Sequence, residues 1–132
     1  MKTQIATFLT FQENNAEQAM NFYVELFDNA KVIEVIRYDD KGPGKDGTIM
    51  KATFELNGAR FICSDSFIKH NWNFTPAVSV WVDCESEQQL DKLFSSLTRG
   101  GAVMMPLNNY GFSRKFGWVA DPFGISWQLN LQ

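Results

Sequence analysis

The chain has 132 residues, a length at which a single compact core is the default and roughly two-thirds of the unfolded surface is lost on folding. Aromatic residues make up 14% and charged residues 20%, which excludes a disordered chain and leaves 12 Phe and 4 Trp to fill a core or line a pocket. The net charge of −3, with 12 basic residues scattered rather than clustered, excludes the basic face that a nucleic-acid partner would need.

The first element is Ile5 to Phe11 (IATFLTF), whose β-rich, period-two character predicts a strand. It follows the N-terminus directly, without a small-residue cleavage site, and no apolar run reaches the length of a membrane span. A cytoplasmic protein with no membrane partner is therefore expected. After Asn15, apolar residues at Met20, Tyr23, Val24 and Phe27 predict a helix that buries one stripe, opened by a capping box of Asn15 with Gln18 and stopped near Asn29. Three strand candidates follow: Lys31 to Tyr38, Thr48 to Leu56 and Ala59 to Ser64. The Gly- and Pro-rich stretch Asp39 to Gly47 joins the first two, and Asn57-Gly58 predicts a tight turn between the last two.

Ser66 to Pro76 then links to a second set. Ala77 to Asp83 reads as a strand, and Leu90, Leu93, Phe94 and Leu97 repeat the helical stripe behind a capping box of Ser86 with Gln89. Gly100-Gly101 supplies a stop, and strands are expected at Ala102 to Met105, Ser113 to Ala120 and Ile125 to Leu131, the last two separated by the turn Asp121 to Gly124. Order, cap type and terminal turn recur, so the chain reads as two βαβββ modules. Module one covers about residues 1–66, a linker about 67–75 and module two about 76–132. Cys63 and Cys84 stand in apolar strands without metal or disulfide spacing and read as reduced, buried thiols.

The paired modules, the segments AEQAMNFYVELF and VSVWVDCESEQQLDKLFSSL, and the closing GWVADPFGISWQL resemble the vicinal oxygen chelate superfamily over nearly the whole chain. Within it the chain is similar to the PhnB-like branch, often labelled a demethylubiquinone methyltransferase domain. The resemblance implies an α+β fold in a single glyoxalase-like domain: a cupped, mixed, eight-stranded sheet with helices on the convex face and a small-molecule site in the concavity, often completed in a homodimer. Glyoxalase I, bleomycin-resistance proteins, fosfomycin-resistance enzymes and extradiol dioxygenases share that layout.

In metal-using relatives each module offers ligands from its first and last strands. The last-strand Glu falls at Gln128 here. Aligning Gly58 with Gly124 puts Ile62 at the equivalent of Gln128, and aligning Phe11 with Val82 pairs Ala6 with Ala77 at the first-strand position. A set of Ala6, Ile62, Ala77 and Gln128 cannot supply the three or more N, O or S donors a transition metal wants, and a shift of one residue to Thr7 does not help. No metal and no cofactor are expected.

On the last strand, Ser126, Gln128 and Asn130 share one face, and Trp127, Leu129 and Leu131 the other, which should pack beneath a helix. Phe8, Thr10, Ser79 and Trp81 are expected on the cup side, as an aromatic wall with a few hydroxyls or as simple filling. Arg60 could hold a carboxylate or phosphonate head group with its fork of donors, or make a surface salt bridge. Arg114 and Lys115 carry the same two readings. Tyr110 and Phe112, around the loop Pro106 to Gly111, could act as a lid. His70, the one histidine, could be a general base, although no carboxylate or Cys partner stands at a recognisable spacing.

The expected function is a metal-free, small-molecule-binding protein lined by Gln128, Trp81, Ser79, Phe8, Thr10, Ile62, Arg60 and Tyr110. A metal-dependent lyase or dioxygenase is the alternative. Methyl transfer lacks a Gly-rich strand-to-helix turn for an adenosyl cofactor.

Overall fold

The computed structural model describes residues 1–132 and divides into two compact units, unit 1 (Met1–Asn71) and unit 2 (Trp72–Gln132). Unit 1 runs β1 (Thr7–Phe11), α1 (Ala16–Glu25), β2 (Ala30–Arg37), β3 (Ile49–Leu56) and β4 (Ala59–Asp65). Unit 2 repeats that order with β5 (Ser79–Asp83), α2 (Glu87–Thr98), β6 (Ala102–Asn108), β7 (Lys115–Ala120) and β8 (Ser126–Leu131). The fold is α+β.

In unit 1 the sheet order is β1-β4-β3-β2, with β1 parallel to β4 and the other pairs antiparallel. The helix carries the chain from one edge of the sheet to the other, and the β2-β3-β4 meander walks back until β4 lies beside β1. Unit 2 has the same topology, β5-β8-β7-β6. Asn57 and Gly58 both have positive φ (48° and 86°), so they form the two-residue turn whose twist matches the strands it joins.

Each core lies between one helix and one sheet face. In unit 1, Met20 and Tyr23 of α1 are buried with Leu9, Phe11, Phe54, Phe61 and Cys63; the Tyr23 ring stacks on Phe54 at 6.3 Å and Phe54 on Phe61 at 5.3 Å. Every large side chain so placed contributes about 1.5–3 kcal/mol. In unit 2, Leu90, Leu93 and Leu97 are buried with Val119, Trp127, Leu129 and Leu131, so the apolar face of β8 does pack on the helix side. Gly117 of β7 sits where a Cβ would press on Leu107 at 2.7 Å and Phe94 at 3.0 Å, which lets the helix approach the strand closely. Both cysteines are free, and burial pushes their thiols up, Cys63 to about 12 and Cys84 to about 11.

Two expectations are corrected by local chemistry. Asn15 makes no capping hydrogen bond; its buried Oδ1 has no partner, and the Ala16 N–H donates instead to Asp65 Oδ1 at 2.9 Å. Ser86 does cap, accepting from the Gln89 N–H at 3.1 Å, while Gln89 Oε1 accepts from the Glu85 N–H at 2.8 Å. The loop expected from Pro106 is still strand as far as Asn108, which pairs with Phe116. Pro106 is tolerated because β6 is the edge of its sheet, where a missing N–H costs no ladder bond.

Candidate functional site

The face of the unit 1 sheet opposite its helix is ordered by strand register. One rung crosses all four strands: Phe8 on β1, Ile62 on β4, Thr53 on β3 and Glu34 on β2. Arg60 and Glu55 face each other one rung away, and Lys51 lies opposite Ile36. An irregularity between Val32 and Glu34 breaks the alternation, so the consecutive residues Ile33 and Glu34 both reach the same hollow.

That hollow has a volume of about 560 Å³. Ala6, Phe8, Ile33 and Ile62 form its apolar lining, and Gln4, Glu34, Lys51, Thr53 and Arg60 its polar lining. Arg60 is held in place: its guanidinium donates to Gln4 Oε1 at 2.9 Å and lies 3.4 Å from Glu55 Oε2. Part of the fork expected to grip a carboxylate is therefore committed within the protein. Glu34 and Lys51 are exposed, and neither side chain takes part in a hydrogen bond or ion pair with the protein.

In unit 2 the corresponding face carries a different arrangement. Trp81, Gln128 and Trp118 form one rung across β5, β8 and β7, with Ser79, Ser126 and Ala120 beside it. Ser79 Oγ and Ser126 Oγ are 2.7 Å apart, Gln128 Nε2 donates to Ser79 Oγ at 3.2 Å, and Trp118 Nε1 donates to Ser126 Oγ at 2.7 Å. Along the strand, Trp81, Tyr110 and Phe112 gather around Phe116, with ring centroids 5.8, 6.0 and 5.1 Å away. Tyr110 also donates its hydroxyl hydrogen to the Pro106 carbonyl at 2.6 Å.

Of the residues expected from sequence, Phe8, Ile62 and Arg60 meet in the hollow together with Ala6. Thr10 lies two residues further along β1, opposite Ser64. Ser79, Trp81 and Gln128 meet in unit 2, and Tyr110 joins its aromatic cluster. His70 lies elsewhere in unit 1, with Nε2 3.3 Å from Ser66 Oγ and its backbone N–H donated to Gln12 Oε1 at 2.6 Å. Lys115 is tied to α2, 2.9 Å from Asp91 and 3.0 Å from Glu87, and the hydrogen bond to Asp91 leads in raising its pKa. Arg114 donates to the Gln132 carbonyl at 2.7 Å.

The internal alignment of the first strands is corrected. Phe8 pairs with Ile62 and Trp81 with Gln128, so Phe8 corresponds to Trp81 and Ala6 to Ser79 rather than to Ala77. The shift is even, so every side chain stays on the face assigned to it. Sequence reasoning missed Gln4, Ile33, Glu34, Lys51 and Thr53 of the hollow. Alternation on the β2-β3 hairpin could have supplied Glu34, Lys51 and Thr53, but nothing in the sequence marks the irregularity that adds Ile33.

The sequence profile described as 3-demethylubiquinone-9 3-methyltransferase matches residues 3–130. The chain belongs to this family. Among solved structures, a family member described as a PhnB protein, from Bacillus cereus, is 52% identical, with a TM-score of 0.94 over 98% of this chain and 100% of that one. A glyoxylase/bleomycin resistance protein/dioxygenase domain from Frankia sp. EAN1pec is 17% identical, with a TM-score of 0.64 over 99% of this chain and 92% of that one, a likeness of fold. An uncharacterized protein of Mycobacterium tuberculosis is 27% identical over 123 residues, which are 89% of this chain and 68% of that protein.

The glyoxalase-type layout carries an implied metal, and the side chains can be tested against it. With the register corrected, the first- and last-strand positions hold Ala6 and Ile62 in unit 1 and Ser79 and Gln128 in unit 2. Unit 1 offers a methyl and a sec-butyl group. Unit 2 offers a hydroxyl and a neutral amide already hydrogen-bonded to each other. No group of three or more His, Cys, Asp or Glu is placed to hold an ion. These residues do not fit a transition-metal centre, which wants imidazole, thiolate or carboxylate.

Proposed function

We propose that this family member is a metal-free, small-molecule-binding protein of the glyoxalase/bleomycin-resistance type, acting as a cytoplasmic homodimer. The observation that carries this reading is the hollow of about 560 Å³ on the unit 1 sheet, where the apolar Ala6, Phe8, Ile33 and Ile62 lie among the polar Gln4, Glu34, Lys51, Thr53 and Arg60. Its size lies within the roughly 300–1,000 Å³ of ordinary ligand sites. Within unit 2, the exposed Trp81 beside the Ser79, Ser126 and Gln128 network is a separate candidate surface, suited to a flat ligand oriented by hydrogen bonds.

Lyase or dioxygenase chemistry of the glyoxalase type would need a metal to polarise an oxygen, and the donor set argues against one. Methyl transfer finds no support either. The turns from β1 to α1 (Gln12 to Asn15) and from β5 to α2 (Cys84 to Ser86) contain no glycine, and neither four-stranded mixed sheet is doubly wound. A homodimer is supported by the apolar surface exposed on the edge strands, Val32, Val35 and Ile36 on β2 and Val103 and Met104 on β6. No helix is long and apolar enough to cross a membrane.

A thermal-shift screen of planar aromatic compounds tests the binding reading. A ligand at about a hundred times its Kd stabilises the native state by about 2.7 kcal/mol, and Phe8→Ala, at an exposed ring, should weaken binding without unfolding the protein. A screen in which no compound raises the melting temperature counts against the reading. So does one equivalent of zinc, nickel, manganese or iron per chain after purification.

A further inference from the structure

We infer that the ligand of the unit 1 hollow is a zwitterion with an apolar body: one cationic group, one anionic group and a hydrophobic side, as in an α-amino acid with an apolar side chain. The inference rests on the reading of that hollow as a binding site and adds the charge pattern of its occupant. Three ionised side chains line it. Arg60 is already neutralised by Glu55 and bonded to Gln4, so it has little charge left to offer. Glu34 and Lys51 are different. Both project from the same sheet face, on the adjacent antiparallel strands β2 and β3, one ladder step apart: Glu34 lies opposite Thr53 and Ile36 opposite Lys51. Yet they make no ion pair with each other or with any other residue.

A hollow holding one unpaired carboxylate and one unpaired ammonium discriminates by charge. A purely anionic ligand that reaches Lys51 brings its charge close to Glu34. A purely cationic ligand that reaches Glu34 brings its charge close to Lys51. Only a ligand carrying both signs satisfies both groups, and its apolar part can lie on Phe8, Ile33 and Ile62. The irregularity in β2 supports this, because it places the apolar Ile33 beside the charged Glu34 on one wall.

Three probes with one hydrocarbon body separate the possibilities: phenylalanine with both charges, hydrocinnamate with the negative charge alone and phenethylamine with the positive charge alone. Calorimetric titration of the wild-type chain is expected to give a Kd for phenylalanine about two- to fivefold below either singly charged probe, the scale of one exposed ion pair. Glu34→Gln should erase the advantage over hydrocinnamate, and Lys51→Met the advantage over phenethylamine. Both residues are exposed, so the variants should fold, and unchanged melting temperatures would verify it. Equal or tighter binding of a singly charged probe overturns the charge assignment but leaves the hollow as a site. Silence from all three overturns the inference, and the planar-compound screen then decides separately whether the hollow binds anything.

Discussion

The two units share a topology but start their helices by different means. In unit 2 the cap is local: Ser86 accepts the Gln89 N–H three residues ahead. In unit 1 it arrives from far along the chain, because Asp65, at the end of β4 and only 2% exposed, accepts the Ala16 N–H at 2.9 Å and the Ile49 N–H at 2.8 Å. The residue of unit 2 in the place of Asp65 is Leu131, which has nothing to accept with. One apolar-for-acidic exchange at a strand end thus decides whether the helix cap is a sequence-local device or a tertiary one. Unit 2 places its own buried carboxylate elsewhere. Asp121 accepts from the Phe123 and Ile125 N–H groups at 2.8 and 3.0 Å and from Trp127 Nε1 at 2.9 Å, so it locks the turn before β8 rather than a helix.

The largest effect that would break this contrast is at Asp65. Replacing it with Ala strands two buried backbone N–H groups, each costing about 1–3 kcal/mol, so a total loss of about 4 kcal/mol is expected in urea unfolding. Asp65→Asn keeps one acceptor but points a donor at the other N–H, and should fall in between. A loss under about 1 kcal/mol for Asp65→Ala would mean that the α1 start is held by something else.

The cysteines sharpen the comparison by rate. Desolvation dominates both shifts, and Cys63 is pushed to about 12, against about 11 for Cys84, where a backbone hydrogen bond from Asn130 opposes the burial. Relative to the ordinary 9.0, the folded thiolate fraction of Cys63 near pH 8 is lowered roughly a thousandfold. Alkylation of the native protein should be slow at both sites and about tenfold slower at Cys63, as mass spectrometry of each peptide would report. The sign for stability follows. Both folded pKa values are raised, so the contribution is full below pH 9.0 and is lost as pH rises toward 11 and then 12. Fast labelling of Cys63 in a folded chain would place it outside the core.

Much of this architecture was legible because it is periodic or local. The stripes Met20/Tyr23 and Leu90/Leu93/Leu97 gave both helices, Asn57-Gly58 gave the turn, and alternation on β8 put Trp127, Leu129 and Leu131 beneath α2. What stayed hidden depends on partners distant in sequence. Asp65 reads as an ordinary strand end until β4 lies beside β1 and its carboxylate meets Ala16. The rung from Phe8 to Glu34 needs three inter-strand registers at once, and an error of two residues in one of them paired Ala6 with Ala77. Because that error was even, the facing of Phe8, Thr10, Ser79 and Trp81 survived it.

Smaller effects lie at the caps. Ser86→Ala should cost about 1 kcal/mol. Asn15→Ala should cost close to nothing, since it deletes a side-chain oxygen that is buried without a partner. Equal losses at the two positions would erase the distinction between a local and a long-range cap.

The smallest expected effect belongs to the bridge between Arg37 and Glu17, which fastens β2 to the first turn of α1 at 2.6 Å; in unit 2 the first-turn Glu87 is bridged instead by Lys115 of β7 at 3.0 Å. The hydrogen bond from Arg37 is the main reason that the Glu17 carboxyl is held below its ordinary 4.5, with burial opposing it. A depressed folded pKa means that the pair contributes above 4.5 and loses that contribution as pH falls through the lower folded value. Both side chains are 44% exposed, so salt screens them, and Arg37→Ala should destabilise less than Ser86→Ala at neutral pH and low salt. The difference from wild type should vanish in acid and in high salt. An Arg37→Ala penalty that persists unchanged at acid pH would show that the guanidinium acts through another contact, for which its hydrogen bond to the Gly47 carbonyl at 3.1 Å is the candidate.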